Sequence, residues 1–313
     1  GTATGSFKRG TFTSAGDNRG TESTLGNFVA DVQLFAAKQF GTADIALMNP
    51  GGLRADIASG NVTYKQAADV QPFANTLVTL NMTGAQLKLA LEQQWQPAGA
   101  ARPVLRLGMS QNLTYVYDPT AATGSHITKI LVNGNVVQPT DVFRVVANSF
   151  LAAGGDNFFA IGQGTNKSDT GKVDLQSMVD WFAANSTATP DLKQRSVGIH
   201  VSAPDVDGYS AGDPITIDLS SLDFTNDETK SGTVDVTLGG VSLGSATVDP
   251  TKLATVDEAG RAQLVTTIPA GLTAGPQQLV ITVPTTGTTA SIPLTITVVG
   301  GTPPAAPSNV FLE

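Results

Sequence analysis

Residues 143–158 read FRVVANSFLAAGGDNF, and this stretch organises the first part of the chain. Its β-branched start, residues 143–147, predicts a strand that leads directly into a Gly-Gly-Asp loop with an aromatic residue on either side. A rigid strand that delivers polar and aromatic groups to a loop is a common way to build a small-molecule site. The stretch is equally compatible with a tight turn beside two core phenylalanines, so the rest of the chain must decide.

The surrounding sequence to residue 200 alternates helix and strand patterns. Apolar residues with helical spacing predict a helix that ends near Gly41; they are Leu25, Phe28, Val29, Val32, Phe35 and Ala36. Thr83 and Gln86 form a capping box that opens a second helix, and Asp174 is expected to cap the last one. Strands are predicted at residues 44–48, 77–82 and 113–117, with a hairpin of 127–132 and 136–137 across Asn-Gly-Asn. Residues 21–200 are therefore predicted to form an α/β (α+β) domain.

After His200 the helical periodicity disappears and short β-branched runs follow one another. They predict strands at residues 215–219, 233–238, 241–243, 262–268, 277–283 and 291–299. This spacing is typical of an antiparallel sandwich, so residues 204–299 are predicted to be an immunoglobulin-like all-β domain. The whole chain is thus expected to be multidomain, with a hinge-like junction at residues 202–204. Residues 1–20 are interpreted as a lead-in from an upstream domain, and residues 300–313 as a linker or tail.

The amino-acid composition excludes several classes of partner and indicates a cellular location. Charged residues make up only 14% of the 313 residues, compared with about 25% in an average globular chain. Residues 201–313 carry 3 basic against 12 acidic residues, which argues against a nucleic-acid polymer or an anionic membrane surface as partner. No apolar run is long enough to insert into a membrane. Low charge is typical of exported bacterial proteins, so we expect a secreted or cell-surface, cell-wall-associated location.

Three loops in the first domain could carry chemistry: residues 49–54 (NPGGLR), 71–75 (QPFAN) and 148–158. Each follows or precedes a predicted strand. Together they supply two rings, a carboxylate, an arginine and several amides, and this set suits a nucleotide. Rings can enclose a base, a carboxylate can accept both ribose hydroxyls, and an arginine can bind phosphate with two hydrogen bonds.

These loops, together with residues 22–27 (ESTLGN), resemble the C-terminal substrate-binding domain of the 5′-nucleotidase and UDP-sugar hydrolase family. The resemblance covers residues 19–185 and depends on the order and spacing of the motifs. It implies that Phe73 and Phe150 stack on the base and that Asp156 binds the ribose. Phe158 is expected to pack in the core.

The resemblance also implies the remaining substrate-binding residues. Arg54 would hold phosphate, Asn49 and Asn75 would lie beside the base, and Gly154 and Gly155 would form the loop wall. Arg19 falls where the family places a further phosphate-binding arginine. Two features depart from the pattern and are expected to alter loop stiffness: Pro50 follows Asn49, and Ala74 stands where glycine is usual.

In this family, hydrolysis requires two divalent metal ions in an N-terminal metallophosphoesterase domain. This chain has only His126, expected on a hairpin surface, and His200, expected far from it across the domain junction. We therefore expect no catalytic residue, metal or other cofactor in this fragment, and predict that it binds nucleotides and hydrolyses nothing by itself. The alternative is a cell-surface scaffold or adhesion fragment with a vestigial nucleotidase domain.

Overall fold

The computed structural model describes residues 1–11, 18–204, 208–253 and 258–297. The predicted tail at 300–313 therefore lies outside the described residues. The helices of the described residues lie in the first part of the chain: α1 (Thr24–Ala37), α2 (Tyr64–Val70), α3 (Gly84–Glu92), α4 (Ser149–Ala152), α5 (Phe159–Gly162) and α6 (Asp174–Asn185). Short 3-10 turns cover Pro50–Gly52 and Gly155–Asn157. No helix within the described ranges is long and apolar enough to cross a membrane.

The described part of residues 1–193 contains eleven strands. They are β1 (Thr2–Ala3), β2 (Ile45–Met48), β3 (Gly60–Asn61), β4 (Thr76–Thr83), β5 (Gly108–Met109), β6 (Leu113–Tyr117), β7 (Ile127–Val132), β8 (Asn135–Val136), β9 (Val142–Asn148), β10 (Thr165–Val173) and β11 (Thr187–Ala188). A five-stranded sheet in the order β10-β4-β9-β2-β5 forms the centre of this unit. One apolar core packs α1 and α6 on one face, and a second packs α3, α4 and α5 on the other. The mixed α/β fold is confirmed.

The register of this sheet brings three chain ends to one edge. β2 and β9 are parallel, so the chain leaves both strands at the same side of the sheet, towards Asn49 and Ser149 respectively. β4 is antiparallel to β9, with Leu77 opposite Asn148, so β4 begins at that same side. The three loops singled out in the sequence are therefore neighbours in space.

Local chemistry explains where several helices begin. The Thr83 side chain accepts from the Gln86 backbone N–H and the Gln86 side chain returns to Thr83, which confirms the capping box. Thr63 and Gln66 form a second such box that opens α2, a helix not predicted from the sequence. The prediction for α6 was wrong by one position: Val173 is the N-cap residue, and Asp174 is the first helical residue.

Residues 1–11 belong to the folded unit, which the interpretation of residues 1–20 as a lead-in did not foresee. β1 pairs with both β3 and β11, and the Phe7 ring is 1% exposed in the core beside α1. A strand of two residues is too short to show an alternation of apolar and polar residues, so β1 is recognised only from the strands that pair with it. Residues 12–17 of the predicted lead-in lie outside the described residues.

The last part of the chain is all β. Its strands are β12 (Ser196–Val201), β13 (Pro214–Ser220), β14 (Thr233–Leu238), β15 (Val241–Thr247), β16 (Ala262–Thr267), β17 (Gly275–Val283) and β18 (Thr288–Ile296). One sheet has the order β15-β14-β17-β18, and it shares an apolar core with β12, β13 and β16. We call this part the sandwich. Its immunoglobulin-like character stays a prediction.

The sandwich is joined to the first unit through one continuous sheet, in the order β16-β13-β12-β6-β7-β8. β12 pairs in parallel with β6 and antiparallel with β13, so the predicted junction at residues 202–204 connects two neighbouring strands of a single sheet. Glu22 reinforces the joint. Its buried carboxylate accepts from the backbone N–H groups of Arg195 and Ser196, each at 2.8 Å. The predicted junction therefore lies within a continuous sheet.

Candidate functional site

A cleft of about 420 Å³ lies at the sheet edge where the three loops meet. Its walls come from all three loops and from the segment before α1. The lining residues are Arg19, Asn49, Gly51, Gly52, Phe73, Asn75, Phe150 and Asp156. We call this site the cleft.

Two phenylalanine rings in the cleft are unusually open to solvent. Phe73 is 57% exposed and Phe150 is 46% exposed, whereas Phe158 in the same loop is fully buried, as expected. Ala74 adopts a left-handed conformation with φ of 52°, which explains why glycine would suit that position. The Ser149 hydroxyl lies 3.3 Å from Asn75 Oδ1 and ties the two ring-bearing loops together.

Gly155 lets the Phe150 ring lie against the loop backbone. A Cβ atom at this position would lie 2.4 Å from Phe150 Cε1 and 2.5 Å from Cζ, closer than real carbon contacts allow. Gly154 contributes differently, because its φ of 89° favours glycine. The two glycines therefore shape the cleft wall without lining it.

The Asp156 carboxylate is held by neighbouring amides. Asn49 Nδ2 donates to Asp156 Oδ2 at 2.8 Å, and Asn148 Nδ2 donates to Asn49 Oδ1 at 2.9 Å. Gln96 Nε2 donates to the Asp156 backbone carbonyl at 3.1 Å, where the chain takes a left-handed turn with φ of 56°. Asp156 is thus held by hydrogen bonds to both its side-chain carboxylate and its backbone carbonyl.

Two arginines stand at the cleft in different ways. Arg19 lines it, and a Cβ atom on Gly51 would lie 3.1 Å from Arg19 Nη1 and 3.3 Å from Asp156 Oδ2. The Arg54 guanidinium lies 5.9 Å from the Phe73 ring centroid and its Nη1 donates to the Gly51 carbonyl. Arg54 therefore stands beside the cleft wall, next to one of the exposed rings.

Most residues singled out in the sequence come together here. Six of the nine line the cleft: Arg19, Asn49, Phe73, Asn75, Phe150 and Asp156. Arg54, Gly154 and Gly155 contact or shape its wall. The supporting amides of Gln96 and Asn148 were not singled out. Asn148 carried a readable signal, because asparagine before a short helix is a common N-cap, whereas Gln96 carried none.

The family model described as "5'-nucleotidase, C-terminal domain" matches residues 1–163, slightly more than half of the chain. The chain belongs to this family. The match includes all of the cleft loops. It also begins at residue 1, in agreement with the packing of β1 and Phe7 against the rest of the unit.

Known proteins similar to the chain include other members of the family. The trifunctional nucleotide phosphoesterase protein YfkN of Bacillus subtilis is 30% identical over 199 residues, covering 61% of this chain and 13% of that protein. A 5′-nucleotidase of Vibrio cholerae is 30% identical over 166 residues, covering 53% of this chain and 28% of that protein. The chain spans less than two fifths of the length of the first curated relatives it matches.

Solved structures give the same result. The 5′-nucleotidase precursor of Thermus thermophilus superimposes with a TM-score of 0.54 at 30% identity, over 62% of this chain and 38% of that one. The NAD nucleotidase of Haemophilus influenzae gives 0.54 at 25% identity, over 63% and 37%. The named relatives are nucleotide hydrolases, and the 5′-nucleotidase C-terminal domain fold extends over about three fifths of this chain.

A second aromatic cluster in this family member is packed into the core, with four of its five residues buried and Trp95 partly buried. The Arg106 guanidinium lies 4.6 Å from the Trp95 ring and 4.4 Å from the Tyr117 ring, and Nη1 donates to the Tyr115 hydroxyl. The His126 ring stacks on Trp95 with centroids 4.0 Å apart. Burial raises the pKa of Tyr117 to about 12. We call these five residues the closed cluster.

Both predictions about the histidines were wrong. His126 is 5% exposed and its Nδ1 lies 3.3 Å from the Glu92 carboxylate, so it is a core residue. Both histidines contact Asp118. The Asp118 backbone N–H donates to the His126 carbonyl, and Asp118 Oδ2 lies 3.1 Å from His200 Nδ1. β6 lies between β7 and β12 in the shared sheet, which brings both histidines to its end. Across the described ranges, no group of three or more His, Asp or Glu side chains could hold a metal ion.

Proposed function

We propose that the chain is the substrate-specificity domain of a secreted 5′-nucleotidase-type phosphoester hydrolase and binds a nucleoside or nucleotide in the cleft. The observation that carries the proposal is the convergence of two half-exposed phenylalanine rings and one carboxylate on a single cleft of about 420 Å³. Exposing two rings to water is unfavourable unless a ligand covers them. Phe73 and Phe150 would enclose the base, and Asp156 would accept the ribose hydroxyls.

The remaining polar groups fit the other parts of a nucleotide. Arg19 and Arg54 supply positive charge for phosphate, and both lie next to Gly51. Asn49 and Asn75 offer amide groups near the base. Stacking on a ring tolerates every base, so AMP-like nucleotides and UDP-sugars are both candidate ligands.

We propose that hydrolysis occurs on another domain of the full-length protein. The cleft offers rings, amides, one carboxylate and guanidinium groups, which form a binding set. In-line attack on phosphorus, as the family resemblance implies, would use two divalent metal ions held by an N-terminal metallophosphoesterase domain. The low content of charged residues favours an exported, cell-wall-associated protein.

Binding is tested by titrating AMP, adenosine and UDP-glucose into the purified chain and following chemical shifts by NMR. We expect weak affinity, about millimolar, because the metals that would hold the phosphate are on the other domain. Phe150→Ala should weaken binding roughly tenfold through lost stacking, and Asp156→Ala should weaken binding of the ribonucleosides.

Phe159→Ala is the matched control for Phe150→Ala. The Phe159 ring is 54% exposed and lies nine residues along the same chain segment, but it does not line the cleft. Its removal should leave affinity unchanged. Absence of nucleoside binding at millimolar concentration, or equal effects of the two phenylalanine variants, would remove the nucleotide site and favour the scaffold alternative.

The assignment of chemistry to another domain has its own test. Purified chain is incubated with AMP and added Mn²⁺, Mg²⁺ or Zn²⁺, and released phosphate is measured. We expect no release above background. Metal-dependent release that survives in a repurified sample would show that this chain hydrolyses AMP and would contradict the assignment.

A further inference from the structure

We propose that Asn148 is a positioning residue for ribose recognition, which makes the cleft selective for ribonucleosides over 2′-deoxyribonucleosides. Asn148 does not line the cleft. It acts through Asn49, whose amide orients the Asp156 carboxylate. This inference rests on the proposed function, because it concerns the same cleft and the same carboxylate.

The direction of every hydrogen bond in this chain of amides is set by one backbone group. The Leu151 N–H can only donate, and it donates to Asn148 Oδ1 at 2.9 Å. The Asn148 Nδ2 group must therefore point the other way, where it donates to Asn49 Oδ1 at 2.9 Å. That contact in turn directs Asn49 Nδ2 towards Asp156 Oδ2, at 2.8 Å. We call this series the amide relay.

Burial makes the relay rigid. Asn148 is 1% exposed and Asn49 is 2% exposed, so water cannot replace a lost partner. Turning either amide over would place two carbonyl oxygens or two NH₂ groups against each other. An unsatisfied buried polar group costs about 1–3 kcal/mol, so one orientation is strongly preferred. Met48 Sδ, 3.4 Å from Asn148 Nδ2, is a further acceptor consistent with this orientation.

The relay determines what Asp156 can offer a ligand. Oδ2 is held by a donor from the protein, which fixes the plane of the carboxylate. Among the described residues, the hydrogen bonds to this side chain include none to Oδ1. A fixed carboxylate with one open oxygen can accept from two adjacent hydroxyls, as in a ribose 2′,3′-diol. A 2′-deoxyribose offers only one of these donors.

The experiment compares adenosine with 2′-deoxyadenosine by NMR titration. A hydroxyl donating to a carboxylate supports a preference for adenosine of roughly tenfold or more in the wild type. Asn148→Ser keeps an N-cap oxygen for the Leu151 N–H, but its side chain is too short to reach Asn49. In this variant we expect the preference to fall at least threefold, towards equal binding of both nucleosides.

Gln96→Ala is the matched control. Gln96 supports the Asp156 backbone carbonyl and not the carboxylate, so its loss should weaken both nucleosides alike and keep their ratio. An unchanged ratio in Asn148→Ser, with the Gln96→Ala ratio also unchanged, overturns the relay. An equal fall in both variants also overturns it, because loop loosening then explains the effect.

Two further outcomes separate this inference from the proposed function. If neither nucleoside binds the wild type, the proposed function fails first. If Asn148→Ser does not fold, Asn49→Ala decides, because Asn49 makes no cap hydrogen bond and stands directly before Asp156 in the relay. Retention of the wild-type preference for adenosine in Asn49→Ala would then refute the relay.

Discussion

The cleft and the closed cluster contain the same kinds of side chain and differ in how these are satisfied. Each combines aromatic rings with an arginine. In the closed cluster the Arg106 guanidinium packs against two rings that also contact each other, and it donates to a tyrosine within the core. In the cleft, Phe73 and Phe150 are about half exposed, and the Asp156 carboxylate lines the cavity with Oδ2 held by Asn49. The comparison teaches that solvent-exposed ring faces and a carboxylate that lines a cavity, more than the residue types themselves, mark a binding site.

The largest effect should separate the two arginine environments. Arg106→Ala removes a buried guanidinium that packs against both Trp95 and Tyr117, which leaves a void and deprives the Tyr115 hydroxyl of a partner. We expect the free energy of unfolding to fall by about 5 kcal/mol in urea titrations, because the cavity and the lost hydrogen bond both contribute. Arg54→Ala, beside the cleft, should change it by no more than about 0.5 kcal/mol. Equal effects on stability would contradict the distinction.

The second test uses two phenylalanines that differ in exposure. Phe73→Ala should leave the free energy of unfolding nearly unchanged but weaken nucleoside binding by about 1–3 kcal/mol, because a half-exposed ring stacks on a base. Phe158 has a fully buried ring that does not line the cleft. Phe158→Ala should therefore lower the free energy of unfolding by about 3–5 kcal/mol. Loss of stability in Phe73→Ala without loss of binding would make Phe73 a structural residue.

A third, smaller effect concerns the two adjacent glycines. Gly155→Ala places a methyl group against the Phe150 ring, which must swing away, so we expect affinity to fall severalfold with little loss of stability. Gly154→Ala should instead cost about 1 kcal/mol of stability, because alanine disfavours φ of 89°. Binding titrations and urea unfolding of both variants check this. Unchanged affinity in Gly155→Ala would show that the position of the Phe150 ring does not matter.

The fold was readable where local chemistry decides the structure. The predicted strand at residues 113–117 matches β6, and the Thr83–Gln86 capping box was recognised from two side chains. β10 was missed because eight of its nine residues are polar or glycine and most are exposed, which leaves no apolar alternation at the sheet edge. β1 was missed because two residues form a strand only through partners far along the chain.

The sequence predicted which loops form the cleft, but it did not predict which aromatic rings are exposed and which are buried. Glycine pairs in residues 49–54 and 148–158, and the ring of Phe73 in the third loop, pointed to the three loops, and the parallel pairing of β2 with β9 helps to explain why these loops meet. Nothing in the sequence distinguishes the open Phe73 ring from the buried ring of His126 on Trp95. Exposure depends on which elements pack over a side chain, and that information lies in long-range contacts. The support from Gln96 to Asp156 is long-range in the same way.

The smallest effect belongs to the edge of the closed cluster, at Asp118. Burial alone would raise the pKa of its carboxyl, but hydrogen bonds from His200 and Thr120 outweigh burial and hold the pKa below the ordinary 3.8. A carboxyl with a lowered folded pKa adds stability above its unfolded pKa and loses it as the pH falls through the folded value. Because the pair is partly exposed, the gain at pH 7 should be about 0.5 kcal/mol.

Asp118→Asn should therefore be about 0.5 kcal/mol less stable than the wild type at pH 7. The two proteins should become equally stable once the pH has fallen below the folded pKa, which lies under 3.8, since the wild-type carboxyl then carries a proton in both states. Urea unfolding at several pH values measures the difference. His200→Gln should reproduce most of the loss, because His200 supplies the first of the stabilising hydrogen bonds. A stability difference that grows as the pH falls would contradict this prediction. It would mean that burial of the Asp118 carboxylate outweighs its hydrogen bonds to His200 and Thr120.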